Sequence, residues 1–112
     1  VSAREDIVDA LKMVPELAPT ATMPDTITAG MAWPAWAYTE PINTCGAVTT
    51  WYVFVALPAT NIAVTVVAGD DLVDQVATAL WPVGKVVRWE PWRIPVEPGQ
   101  QGVPVVRYTL EV

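Results

Sequence analysis

A chain of 112 residues with no histidine, one cysteine and only 16% charged residues, against roughly 25% in an average soluble domain, excludes several chemistries. Imidazole catalysis and histidine-built zinc sites have no ligand, and a disulfide within these residues has no second thiol. Twelve acidic against six basic residues, net −6, argue against wrapping a nucleic acid, because affinity for phosphate comes from clustered Lys and Arg that release counterions.

Ser2 followed by Glu5 is a capping-box pattern, in which the Ser hydroxyl takes one orphan amide and the Glu reaches back to another. Behind it Ile7, Ala10, Leu11 and Val14 recur at helical spacing, with Glu5, Asp6, Asp9 and Lys12 on other faces. The spacing predicts a helix over residues 3–14, ended by Pro15. Residues 15–26, PELAPTATMPDT, carry three prolines and read as an irregular connector. Thr26 to Glu40 reads as a strand broken or bulged near Gly30 and Pro34, both of which weaken a ladder, and PINTCG, 41–46, as a loop.

The strongest strand is VTTWYVFVALP, residues 48–58, rich in β-branched and aromatic residues and closed by Pro58. Trp51, Val53, Val55 and Leu57 fall on one face, Tyr52, Phe54 and Ala56 on the other. A strand apolar on both faces is covered on both, and with one or two helices in so short a chain the second cover is expected from a neighbouring subunit.

Residues 59–81 admit two readings. Ile62, Val66, Gly69, Val73, Val76 and Leu80 step by four and three as a helical stripe. Against that, IAVTVV favours a strand over 62–67, followed by a helix capped by Asp70, and Gly69 costs a helix about 1 kcal/mol. From Val83 to Val112 the pattern is a long hairpin turning at EPGQQG, 97–102. In its second arm Val106, Tyr108, Leu110 and Val112 alternate with Val105, Arg107, Thr109 and Glu111. In its first arm Pro91 and Pro95 share parity, so the missing amides lie on one side, as an edge strand requires.

Residues 1–82 carry two bases and nine acids, net −7, and residues 83–112 four bases and three acids, net +1. That asymmetry suits head-to-tail contacts between copies. Cys45 has no histidine to deprotonate it and does not read as a nucleophile, in keeping with a reduced, cytosol-made protein. No run of 18 apolar residues occurs, so no membrane span is expected, and VSARED lacks the order of a signal peptide. Asp70, Asp71 and Asp74 supply the oxygen ligands a hard cation takes, but without EF-hand spacing, so a solvated helix face is the expectation and no metal or cofactor is assigned. The six Gly form neither GxGxxG nor GxxxxGK, and no catalytic pair stands out.

The six tryptophans, at 33, 36, 51, 81, 89 and 92, are the anomaly. Trp89 and Trp92 have opposite parity on a proline-marked edge strand, so at most one of them fills the domain's own core. Aromatics of this kind are enriched at interface hot spots. The expected subunit or tube contacts are Trp51, Val53 and Val55 on the doubly apolar strand, and Trp89, Trp92 and Arg93 on the hairpin.

The opening SAREDIVDAL, the strand TWYVFVALP with its closing proline, the acidic segment DDLVDQVATALWP and the strand entry VGKVVRWEPWRI together resemble the tail terminator proteins of long-tailed, siphovirus-type bacteriophages, especially those of actinobacteria. The resemblance spans nearly the whole chain and favours a helix across roughly 60–80. It implies a single α+β domain over residues 1–112, in the order α-β-β-α-β-β, with a small mixed or antiparallel sheet, two helices packed on one face and a long C-terminal hairpin. The function implied is structural: a homohexameric ring in the virion, at the head-proximal end of the tail tube. Such a ring stops tube polymerisation, joins the tail to head-completion or connector proteins, and passes genomic DNA through its lumen without specific binding. It is assembled in the host cytoplasm, with no membrane, cofactor or enzymatic activity. Another head-tail connector, a tail-completion or stopper protein, is the nearest alternative, and a monomeric ligand-binding domain a more distant one.

Overall fold

The computed structural model describes residues 2–44, 46–56, 62–95 and 102–112, and for 62–69 and 71 the backbone alone. Two helices, α1 (Ala3–Leu11) and α2 (Ile62–Leu80), accompany five strands: β1 (Ala18–Pro19), β2 (Met31–Asn43), β3 (Gly46–Ala56), β4 (Lys85–Ile94) and β5 (Val103–Glu111). The strands form one sheet in the order β1-β2-β3-β5-β4. All neighbours are antiparallel except β1 and β2, so the sheet is mixed and the fold α+β. The expected order of elements is met in part: β1, two residues long, is an extra strand, and β4 and β5 pair antiparallel.

Helix α1 starts where the capping pattern puts it, the Ser2 hydroxyl accepting from the Glu5 amide at 3.2 Å. It ends at Leu11, three residues short of expectation. Met13 and Val14 donate three residues back, to Ala10 and Leu11, instead of four, because a residue preceding proline is disfavoured in helical conformation and the last turn tightens. The connector then touches the sheet: Ala18 donates to Gly30 and Thr20 to Ala32, each at 2.8 Å.

Strand β2 departs furthest from its sequence reading. It begins after Gly30, whose φ of +88° a β-carbon would strain, and runs unbroken through Pro34 to Asn43, so 41–43 belong to the strand and not to a loop. The register shifts fall at Trp36/Tyr38 and Pro41/Asn43 instead. Proline is tolerated because β2 is paired on its outer side only at Met31 and Ala32. Asn43 pairs with Gly46; Cys45 between them lies outside the described residues.

Both readings of 59–81 gave a helix near its end, and the backbone is helical from Ile62 throughout. Further along α2, Leu72, Val76 and Leu80 anchor it to the sheet. The side chains of the 62–69 stripe and of Asp71 lie outside the described residues, as do Leu57, Pro58 and 97–101 of the expected hairpin turn.

One face of the sheet packs beneath both helices. Ala32, Trp51, Val53, Val55, Val106, Tyr108 and Leu110 meet Ile7 and Leu11 of α1 and Val76 and Leu80 of α2. The alternation of β5 is thus realised. The other face carries no helix among the described residues. Phe54 and Ala56 are nevertheless buried there with Trp33 and Val105, flanked by Ile27, Met31, Ile94 and Val103. The second cover of β3 comes from the chain itself, from side chains of neighbouring strands and the connector, and not from another subunit as expected; Trp33 stacks on Phe54 at 5.7 Å.

Candidate functional site

Burial divides the six expected contact residues into two groups. Trp51, Val53 and Val55 lie beneath the helices, both valines fully enclosed. Arg4 caps Trp51 from above, its guanidinium 5.2 Å from the indole centroid and its Nη1 donating to the Ala21 and Pro34 carbonyls. These three residues belong to the core and are corrected as interface candidates. Their strand is apolar because the helices need it so.

Trp89, Trp92 and Arg93 lie on β4, which forms the outer edge of the sheet, as the prolines require. Trp89 pairs with Tyr108, on the helix side, and Trp92 with Val105, on the opposite side, so the two indoles point to opposite faces. Neither fills the core: they are 46% and 44% exposed. Arg93, opposite Pro104, is exposed.

Each indole is braced from inside. Trp89 rests on the buried Tyr108 ring at 6.3 Å. Trp92 stacks on the Arg107 guanidinium, 3.8 Å from its centroid, and the same guanidinium lies 4.4 Å from the Tyr52 ring. Arg107 Nε and Nη2 both donate to Glu90 Oε1, at 3.2 and 2.5 Å, with Arg88 Nη2 3.5 Å from the same oxygen. The hydrogen bond from Arg107, and the positive charge of Arg107 and Arg88, hold the Glu90 carboxyl below its usual range against some opposing desolvation. The guanidinium is therefore neutralised and stacked, and it orders Trp92 as a rigid apolar plate.

The bracing residues were missed in the sequence, although the alternation of β5 had already put Arg107 on the face opposite Tyr108. Further apolar exposure lies at the other edge, with Trp36 at 58%, Tyr38 and Ile42, and around the helix ends, with Met13 and Trp81. Beside Met13 an open hollow of about 560 Å³ lies between the turn that follows α1 and the end of α2, lined by Val14, Asp74, Thr78 and Pro82. Among the described residues no three carboxylate or thiol groups gather as a metal site requires, and no helix is long and apolar enough to cross a membrane.

No protein-family model matches the chain, and no curated protein matches it.

Proposed function

We propose that this chain is a structural ring subunit of a long-tailed bacteriophage: a tail terminator that caps the head-proximal end of the tail tube, ends its polymerisation and receives the head-completion proteins. The observation that carries the reading is the β4 edge, where two half-exposed indoles on opposite faces are each held rigid by the chain's own side chains. Pre-ordered aromatics lose little entropy on docking and are favoured as interface anchors. A small domain that leaves four of its six tryptophans 44% or more exposed is suited to assembly. The sequence resemblance supplies the identity of the assembly, a hexameric virion ring whose lumen passes DNA without binding it, needing no cofactor.

Native mass spectrometry of the chain, alone and with tail tube protein, tests the reading. Hexamers, or monomers that become hexamers on tube ends, are expected; a monomer that stays single with tube protein present overturns it. Tail length separates the terminator from another connector. Loss of a terminator gives overlong tubes, whereas loss of a stopper leaves normal tails beside heads that leak DNA.

A further inference from the structure

We infer that successive copies of this chain join head to tail through opposite edges of the sheet, the basic β4 edge of one copy docking on the acidic α1–β1–β2 edge of the next; the inference rests on the ring reading and names its contact. The two edges are complementary in charge. Residues 2–43, which build α1, β1 and β2, carry six acids and two bases, while β4 carries Lys85, Arg88 and Arg93 against Glu90 alone. Glu90 is already engaged by Arg107, with Arg88 3.5 Å from the same oxygen. On the acidic side Glu5 and Asp9 border a hollow between α1 and Ala21, just beyond β1, that Arg4 and Lys12 also line, Arg4 turned to backbone carbonyls and Lys12 3.4 Å from Asp9, and Glu5, Asp6 and Glu40 stand exposed. Of the acids of α2 whose side chains are described, Asp74 opens onto the hollow beside Met13 and Val14, and Asp70 lies one turn earlier on the same helical face.

The edges are also alike in what they leave uncovered. Trp36, Tyr38 and Ile42 are exposed on β2, and Val87, Trp89 and Trp92 on β4. Both are outer edges, since β1 pairs with β2 only at Met31 and Ala32. Pro34 and Pro41 on one and Pro91 on the other remove amide donors, so no long ladder joins them and side chains carry the contact. A contact between two different surfaces of one chain repeats by rotation, and closes a ring when the rotation allows.

Two charge-reversed proteins test the pairing, each first shown by circular dichroism and thermal melting to be folded. One carries Arg88→Glu and Arg93→Glu, the other Asp9→Lys and Glu40→Lys. Each alone is expected to weaken self-association by about tenfold or more, since like charges then face each other. An equimolar mixture restores the wild-type mass, because alternating copies regain opposite charges at every contact. Reversals that leave the mass unchanged, or a mixture that stays dissociated, overturn the pairing while leaving the ring reading intact. Wild-type protein that stays monomeric beside tube protein removes the ring reading itself.

Discussion

Two tryptophans, Trp33 and Trp51, are buried to within a tenth of their surface, while Trp36, Trp81, Trp89 and Trp92 are 44% to 73% exposed. The pairs Trp33–Phe54 and Trp89–Tyr108 show what separates the groups. Both indoles lean on an aromatic ring of the adjoining strand, but Trp33 lies within a cluster closed by Ile27 and Met31, whereas Trp89 is on the last strand of the sheet and 46% exposed. An aromatic is core or contact according to what closes over it: Trp33 and Trp36 share β2, yet only Trp33 lies where Ile27 and Met31 cover the sheet.

That contrast breaks if the exposed indoles matter to folding as much as the buried ones do. Trp33→Ala is expected to produce the largest effect, a loss of about 3–5 kcal/mol in urea unfolding of the isolated chain, because it empties a closed cluster. Trp92→Ala should leave the unfolding midpoint nearly unchanged and weaken assembly about thirtyfold, the effect of a hot spot worth roughly 2 kcal/mol. Equal destabilisation of the isolated chain by both variants would reassign Trp92 to the core.

Sequence patterning made the parity of each strand legible, and with it the opposed directions of Trp89 and Trp92 and the edge position of β4. It could not place Trp51, Val53 and Val55. A strand apolar on both faces is equally consistent with burial by its own chain and by a neighbour, and the choice depends on how many elements fold back over it. Nor did it show β1, whose two residues bond through backbone alone, or the run of β2 through Pro34, which an edge position permits and local propensity opposes. Arg107 was readable as a residue on a face but not as a brace, because its partners Tyr52, Glu90 and Trp92 come from two other strands.

Tyr108, on which Trp89 rests, gives a smaller effect that sharpens the same contrast from the core side. Its ring is fully buried and its hydroxyl has no hydrogen-bond partner among the described residues. Desolvation, helped by the charge of Asp74, pushes its pKa well above the ordinary value. Tyr108→Phe removes an unsatisfied hydroxyl and is expected to stabilise the chain by about 1 kcal/mol. The unfolded tyrosine ionises near pH 10 and the folded one later, so the unfolded state binds fewer protons and stability falls as pH rises through that window. The Phe variant should lose less stability between pH 9 and pH 11; identical alkaline melting curves would mean that the hydroxyl reaches solvent.

Glu90 gives the smallest expected effect, because its carboxylate is partly exposed and water screens its pairs. Its pKa is lowered in the folded chain, chiefly by the hydrogen bond from Arg107. Stability from this source is therefore present above the unfolded value of roughly 4.3 and is lost as pH falls through the folded one. Glu90→Gln keeps an acceptor for Arg107 but has no charge to titrate, so the two proteins should differ in melting temperature at pH 7 and converge as the medium is acidified. The same substitution also reaches the exposed indole. Arg107, only 11% exposed, loses its counter-charge, and the plate it forms beneath Trp92 is held less firmly. Assembly should then weaken slightly at neutral pH even where melting barely changes, and an unaltered association constant would show that Trp92 needs no brace from Arg107.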